Sequence, residues 1–496
     1  MAETQDSIPS SRPLRTRFAP SPTGLLHVGN ARTALFSFLL ARHGKGRFLL
    51  RIEDTDRQRH NEGAVTEIME DLRWLGIEWD EGFGVGGPHG PYRQSQRLEL
   101  YRGYVDRLLK EAKAYYAFET TEELEAMRGG GGGRGEFRYP RPATLPTDAD
   151  AARAKAAGRP VVVRFLCPSR DVTIIDDCFG PVTIPASEME DFVILKADGY
   201  PTYYLANAID DALMEINYVV RGQEFLGQTW RQVFLREAMG FPQPGHAHLP
   251  LILDMQGRKL SKRDGDVEVR AFRAAGYLPE VLVNFIALLG WGPGKDREKM
   301  TLAEMIELFS VDRIGKTNAK FDRDKLMAFN TDALAAASQE RLLAALKDYL
   351  SLNATPIPAG DENLLRHLLR ITAGIRTLAD IPAKCGVLFI PDDSYPYEDD
   401  AVSKVLLKNG NEGLSVLAEL RKALDGCPWT ESDLEGLIKG FCESHGLGMG
   451  KVAQPLRVAV TGRTISPAIH DTLAILGRER ATRRIDRCLA LFGPRQ

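Results

Sequence analysis

Pro20-Ser21-Pro22-Thr23-Gly24-Leu25-Leu26-His27-Val28-Gly29-Asn30 decides how the N-terminal part of this 496-residue chain folds. Two prolines and a glycine over Pro20–Gly24 are turn chemistry, so one element ends just before them. The residues ahead, Arg15 to Ala19, suit a short strand. Behind them, Asn30 can cap a helix running to about His43, with Ala31, Ala34, Leu35 and Phe38 on one face and Gly44 as its stop. A second strand follows over Phe48–Ile52, with Glu53-Asp54-Thr55-Asp56 at its C-terminal end. Strand, turn, helix and strand at this spacing predict a parallel α/β sheet, whose ligands sit beyond the carboxyl ends of the strands.

Outward from that unit the pattern changes. From 97 to 202 it reads as an inserted α+β module, with strands at Val161–Phe165 and Asp191–Leu195 and a hairpin signal over Phe192–Ala197 followed by Asp198-Gly199. Five glycines, Gly129 to Gly133, read as a flexible loop within it. The α/β pattern of 14–96 resumes over 203–256, with a strand at Asn217–Arg221. A region over 257–335 carries Lys259-Leu260-Ser261-Lys262-Arg263. Residues 336–496 read as helical, through Leu342–Leu346, Leu364–Leu378, Val402–Leu424 and Leu434–Cys442. Residues 1–13 are expected to be a disordered leader. The fold class is therefore multidomain, α/β plus all-α.

Composition bounds the function. At 44% hydrophobic and 26% charged residues the chain is globular in profile. No apolar run approaches about 18 residues, so no membrane helix is expected. The polar N-terminus lacks a hydrophobic signal core, which points to the cytoplasm. Six cysteines stand at 167, 178, 385, 427, 442 and 488, with no C-x-x-C pair. Paired-cysteine zinc and redox motifs are thereby excluded. Net charge is −3, yet from Phe441 onward nine Lys/Arg face four Asp/Glu. A basic end on a near-neutral chain fits a polyanion or a solvated helical face.

Two segments carry phosphate chemistry. His27, at a helix N-terminus, can donate to phosphate oxygens where the helix dipole already favours negative charge. Gly29 has no side chain, so a purine can approach the backbone closely. Lys262, with Ser261 and Lys259, can follow a triphosphate as its geometry changes.

The runs Arg17–Gly24, His27–Phe36 and Arg51–Asp56 resemble bacterial glutamyl-tRNA synthetases, members of the class I aminoacyl-tRNA synthetases. So do Asp198–Asn207, Asp210-Asp211, Val220–Glu224, Lys259–Arg263, Val452–Arg457 and Thr461-Gly462. The resemblance implies a Rossmann-like parallel-sheet catalytic domain, an acceptor-binding insertion, a stem-contact region and a helical anticodon-binding region. It implies ATP and Mg²⁺ as cofactors, with glutamate and tRNA-Glu, or also tRNA-Gln, as partners, and a monomer. Catalytic roles fall on His27, Gly29, Asn30, Lys259, Ser261 and Lys262. ATP is expected at His27, Gly29, Glu224, Ile252 and Lys262. Glutamate is expected at Arg17, Ala19, Ser21, Glu53, Tyr203, Asn207 and Arg221. The two arginines would meet its carboxylates and Glu53 its ammonium; guanidinium forks suit a dicarboxylate. A glutaminyl-tRNA synthetase shares these catalytic signatures but carries a β-barrel anticodon region, against which the helical pattern after 335 counts.

Relatives that bind zinc in the insertion do so through paired cysteines; Tyr115-Tyr-Ala-Phe-Glu119 has none, so no zinc is expected. His246-Ala-His248 imitates a metal pair and is read instead as supporting the nucleotide pocket. Gly315-Lys316-Thr317 imitates a P-loop end, but Ser310 stands where its first glycine belongs. Glutamate-specific members place an arginine shortly before a Thr-Leu pair in the helical region. Alignment on Arg376-Thr377-Leu378 puts Gly374 there, which opens charging of tRNA-Gln.

Overall fold

The computed structural model describes residues 13–56, 61–129, 138–260, 267–372 and 374–493. Most of the expected leader and most of the five-glycine stretch fall outside these residues. The described residues form two compact units. One runs to Ala271 and resumes over Leu282–Asp322; the other holds Phe272–Val281 and everything from Arg323.

In the first unit, β1 (Arg15–Phe18), β2 (Arg47–Leu50) and β3 (Glu81–Gly82) form a parallel sheet in that order. Arg15 pairs with Arg47 and Phe18 with Leu50. The last three residues of β1 and of β2 are buried, as parallel strands covered on both faces require. Gly82, at φ +134°, lies so close to β2 that a Cβ would stand 2.2 Å from the Leu50 carbonyl oxygen. Only glycine tolerates both conditions.

The helix after β1 spans Val28–His43. Its cap is His27, not Asn30: the His27 Nδ1 accepts from the Gly29 N–H, and the His27 backbone is extended. A ring nitrogen here does what an Asn oxygen does elsewhere, and the helix starts three residues early.

The insertion contains β4 (Ala114–Ala117), β5 (Val162–Phe165), β6 (Val172–Asp176), β7 (Gly180–Ile184) and β8 (Phe192–Leu195). Strands β4, β5 and β8 make an antiparallel sheet. The segment after the Asp198-Gly199 turn returns only as a bridge, Pro201 to Leu195, before a helix begins at Tyr203.

The hairpin β6–β7 departs from the expected boundary at 202. It joins β9 (Tyr218–Gly222) and β10 (Gly245–Leu249) in one sheet ordered β7-β6-β10-β9. Tyr101, Val105, Phe165, Ile174 and Ile194 share a single apolar core with Leu205, Ile209, Trp230 and Phe234. Burying these faces together ties residues 97–202 to the elements after 203, beside a smaller cluster of their own around Tyr115, Ala117 and Tyr139. A short parallel pair, β11 (Ile252–Leu253) with β12 (Ala319–Lys320), completes the unit.

The second unit is helical, and its long C-terminal stretch begins at Arg323 rather than 336. Leu364–Leu378 is not one helix: Glu362–Ile371 ends at Thr372, and Gly374 at φ +77° reverses the backbone. Val402–Leu424 is likewise broken, where Asn409, Gly410 and Asn411 all adopt left-handed φ.

Candidate active site

A cleft of about 700 Å³ opens where β1, β9 and β10 end. Its wall includes Arg17, Ala19, Ser21, His27, Gly29, Asn30, Glu53, Tyr203, Asn207, Arg221, Glu224, Ile252 and Lys259. These are all the residues nominated from sequence except Ser261 and Lys262, which lie outside the described residues. Strand ends deliver Arg17 and Arg221, the turn after β1 delivers Ser21, and the helix N-terminus delivers His27 and Gly29. Leu260 is tied to β11 by its N–H to the Ile252 carbonyl, which sets Lys259 at the rim.

The two arginines differ. The Arg17 Nε donates to both oxygens of Asp211, at 3.1 and 3.3 Å. Arg221 has no carboxylate partner among the described residues. It donates from Nε to His248 Nε2 at 2.9 Å, from Nη1 to Gln232 Oε1 at 2.5 Å and from Nη2 to Thr229 Oγ1 at 2.8 Å. The Phe225 ring lies 5.4 Å from its guanidinium carbon. Burial weakens the hold of Arg221 on its proton, and the nearby Arg17 adds to the effect against the favourable influence of Tyr203. An added carboxylate would relieve a cation so placed. Arg221 forms no ion pair with the nearby Asp210 or Asp211; Arg17 and Arg51 occupy Asp211, and Arg51, Arg97, Gln94 and Tyr101 surround Asp210.

One chain of hydrogen bonds links the two arginines. Gln232 Nε2 donates to Asn207 Oδ1 at 2.6 Å, and Asn207 Nδ2 donates to Glu53 Oε1 at 2.7 Å. The same Glu53 oxygen accepts from Arg51 Nη2 at 2.8 Å, and Arg51 Nη1 lies 2.7 Å from Asp211. Burial pushes the Glu53 carboxyl up against the pull of Arg51, Arg17 and Asn207. A second cation beside it favours its charged form, which suits an ammonium group. Burial also pushes Asp211 up, but Arg17, Arg51 and Arg236 outweigh it and hold the carboxyl well below the usual range.

On the nucleotide side, the accepting Nδ1 of His27 puts the ring proton of a neutral imidazole on Nε2. Gly29 is not required by the backbone: a Cβ there would meet only His27 Nδ1, at 3.5 Å. The fold leaves that space open.

The decoys resolve into structure. Both ring nitrogens of His248 are engaged, by Asp176 and Arg221, so His246-Ala-His248 is not a metal pair. In the cysteine-free stretch Tyr115–Glu119, Tyr115 donates to Asp191 at 2.8 Å, and Arg141 grips the same carboxylate with two nitrogens. Among the described residues one potential metal trio exists, His367, Glu431 and Asp471. The Arg370 guanidinium donates to both His367 and Glu431, which opposes a cation there. No helix among the described residues is long and apolar enough to cross a membrane.

Comparison with known proteins adds to this geometry. Residues 13–328 match the class I (E and Q) tRNA synthetase catalytic domain, and 341–489 match an anticodon binding domain. A glutamate–tRNA ligase of Anaeromyxobacter sp. is 41% identical over 97% of this chain and 99% of its own length. The chain belongs to the glutamate–tRNA ligase family. Another family member, from Carboxydothermus hydrogenoformans, is 41% identical over 95% of this chain and 99% of its own length. The crystal structure of a glutamate–tRNA ligase from Elizabethkingia meningosepticum, in complex with its amino acid, is 35% identical. It matches with a TM-score of 0.78 over 97% of this chain and all of that one.

Sequence reading of this glutamate–tRNA ligase family member missed Arg51, Asp211, Thr229 and Gln232 as parts of the pocket wall or its support; His248, read as supporting the nucleotide pocket, supports Arg221. Thr229, Gln232 and Arg236 are buried along the helix Thr229–Met239. That polar stripe, spaced three and four residues apart on an otherwise apolar face, was the available signal.

Proposed function

We propose that the chain activates L-glutamate with ATP to glutamyl-adenylate and pyrophosphate, then transfers the glutamyl group to the terminal adenosine of tRNA. The observation that carries this reading is Arg221: a buried guanidinium on the cleft wall, held only by neutral acceptors, beside Arg17 and Glu53. That combination suits one molecule with two carboxylates and one ammonium. Arg221 takes the side-chain carboxylate, Arg17 remains shared with Asp211 at the other end, and Glu53 with Asn207 meets the ammonium. Tyr203, Ser21 and Ala19 complete the wall.

In activation, the substrate α-carboxylate attacks the α-phosphorus of ATP and pyrophosphate departs. The protein holds two anions in line and spreads the added charge. His27, by Nε2–H, and the N-terminus of Val28–His43 serve the phosphates, while Asn30, Lys259, Ser261 and Lys262 supply further donors. Gly29 and Ile252 bound the purine. Mg²⁺ enters with ATP as part of the substrate, and Glu224 is the exposed carboxylate on that side of the cleft. In transfer, an adenosine hydroxyl attacks the acyl carbon and AMP leaves.

Discrimination against glutamine rests on the same cation. Facing a neutral amide, Arg221 would keep its unmatched buried charge, a mismatch large enough to reject a near-isostere. The insertion is assigned to the acceptor end and the helical unit to the anticodon. A cytoplasmic monomer fits this role.

One observation favours a wider tRNA range. Gly374 is exposed at φ +77°, a conformation that disfavours an arginine. Charging of purified tRNA-Glu and tRNA-Gln with labelled glutamate, each alone, tests both points. Charging of neither refutes the ligase reading. Charging of tRNA-Glu alone refutes the wider range, and charging of tRNA-Gln supports it.

A further inference from the structure

Arg221 reaches into the cleft, but nothing on its own strand holds it there. Its Nε–H is held by His248 Nε2 at 2.9 Å, and His248 lies on β10, directly opposite Arg221 in the parallel register. The far side of the same ring is held by Asp176, where His248 Nδ1 stands 2.6 Å from Oδ2. Asp176 ends β6, in the insertion, and pairs there with β10.

Asp176 has no freedom to do otherwise. Its Oδ2 also accepts the His248 backbone N–H at 3.0 Å, and its Oδ1 accepts the N–H groups of Cys178 and Phe179 at 3.0 and 2.9 Å. Four donors converge on one carboxylate with a side chain wholly shielded from solvent. All four meet it as an acceptor. The imidazole must then carry its proton on Nδ1 and present a lone pair at Nε2. That lone pair is what Arg221 Nε–H requires. Were the tautomer reversed, two N–H groups would face each other across 2.9 Å in a buried site.

The consequence concerns charge as well as direction. Arg221 could have been oriented by a carboxylate directly, but its charge would then be matched before substrate arrived. The ring inserts a neutral acceptor between Asp176 and Arg221. Gln232 and Thr229 do the same on the two Nη atoms. Three donors are fixed in place while the guanidinium charge stays available to the cleft.

We propose that His248, with its tautomer set by Asp176, is a positioning and specificity-determining residue for the substrate side-chain carboxylate, acting through Arg221. This rests on the assignment of Arg221 to that carboxylate. The role belongs to a residue outside the cleft wall and to a hairpin that sequence alone places in the tRNA-binding insertion.

The test is steady-state glutamate activation by the full chain with tRNA present. Wild type is compared with R221A, H248L, H248Q, D176N and the double variant R221A/H248L, each checked for folding by circular dichroism. H248L should raise the glutamate KM about 10- to 100-fold, the range for a bond to a charged group. The ATP KM and the kcat at saturating glutamate should change by less than about twofold, because the loss is one of substrate binding. H248Q should recover part of the KM, since its amide oxygen can accept from Arg221. In the R221A background H248L should add less than about twofold, the mark of one residue acting through another.

An unchanged glutamate KM in folded H248L overturns the proposal, as does a full independent effect of H248L on top of R221A. If H248L does not fold, D176N decides: an Asn amide facing Nδ1 reverses the tautomer, so its glutamate KM must rise. An unchanged D176N then overturns the proposal. R221A separates the two layers. If R221A itself leaves the glutamate KM unchanged, the pocket assignment falls. If R221A raises it and H248L does not, only the role of His248 falls.

Discussion

Each compact unit buries an arginine, and the two are satisfied in opposite ways. Arg221, one residue before the end of β9, donates to a ring nitrogen, an amide oxygen and a hydroxyl, and to no carboxylate among the described residues. Arg484, in the helix Ile469–Phe492, is fully buried, and its Nε donates to Asp392 at 2.7 Å. Its Nη atoms donate to the carbonyls of Val387, Val460 and Ile390, and the Tyr395 ring lies 4.3 Å from its guanidinium carbon. Asp392 also takes Arg480 and Arg483. Arg484 is a staple: its charge is matched and its donors tie distant segments of the helical unit together. Arg221 is oriented to the same standard but left with its charge unmatched. Burial alone therefore does not mark a functional arginine; the character of its acceptors does.

The comparison breaks first at Asp392. Asp392→Ala should leave Arg484 buried and unpaired, at a cost of about 3–5 kcal/mol. Thermal melting should show the helical unit destabilised, with the glutamate KM of the still-folded enzyme unchanged. A raised glutamate KM would blur the distinction between staple and recognition residue.

Arg221→Lys should do the reverse. A lysine keeps the charge but cannot hold the fork against His248, Gln232 and Thr229. The glutamate KM should rise about 10- to 100-fold with the melting temperature nearly unchanged. A large fall in melting temperature would make Arg221 a second staple.

Acid titration compares the matched pairs in each unit. Asp211 is pushed up by burial but held lower by Arg17, Arg51 and Arg236. Asp392 is pushed up by burial but held lower by hydrogen bonds from Arg480 and Arg484. Both folded-state values lie below the unfolded carboxylate value of about 3.9. Each pair's stabilisation is therefore present above that pH and is lost as pH falls through the folded values. Melting temperature should decline below about pH 4, and Asp211→Asn and Asp392→Asn should each flatten that decline. An unaltered slope in both variants would remove these pairs from the acid response.

The smallest effect on the fold is expected at Gly29. Its Cβ space is open and alanine favours a helix, so Gly29→Ala should leave stability unchanged or raise it by up to about 1 kcal/mol. The ATP KM should rise if a purine uses that space. A destabilised variant would mean that the fold, not the ligand, demands the glycine.

The sequence by itself determined the α/β character of the N-terminal unit, because turn chemistry at Pro20–Gly24 and the apolar periodicity around it are local. The resemblance to the synthetase family also pointed to Arg17 and Arg221, which the fold sets near the carboxyl ends of β1 and β9. The His27 cap was missed because a histidine is a rare cap, and its ring had to be seen accepting from Gly29. The breaks at Gly374 and at Asn409–Asn411 were missed because apolar periodicity continues across them.

What only the tertiary structure decided was partnership. Asp176 meets His248 across 72 residues, and Arg17 meets Asp211 across 194. Such pairings depend on sheet order and register, and the β6–β7 hairpin entering the catalytic sheet brings Asp176 to β10. Local propensity acts over a few residues. Which charge is matched and which is left for a substrate is set by long-range packing.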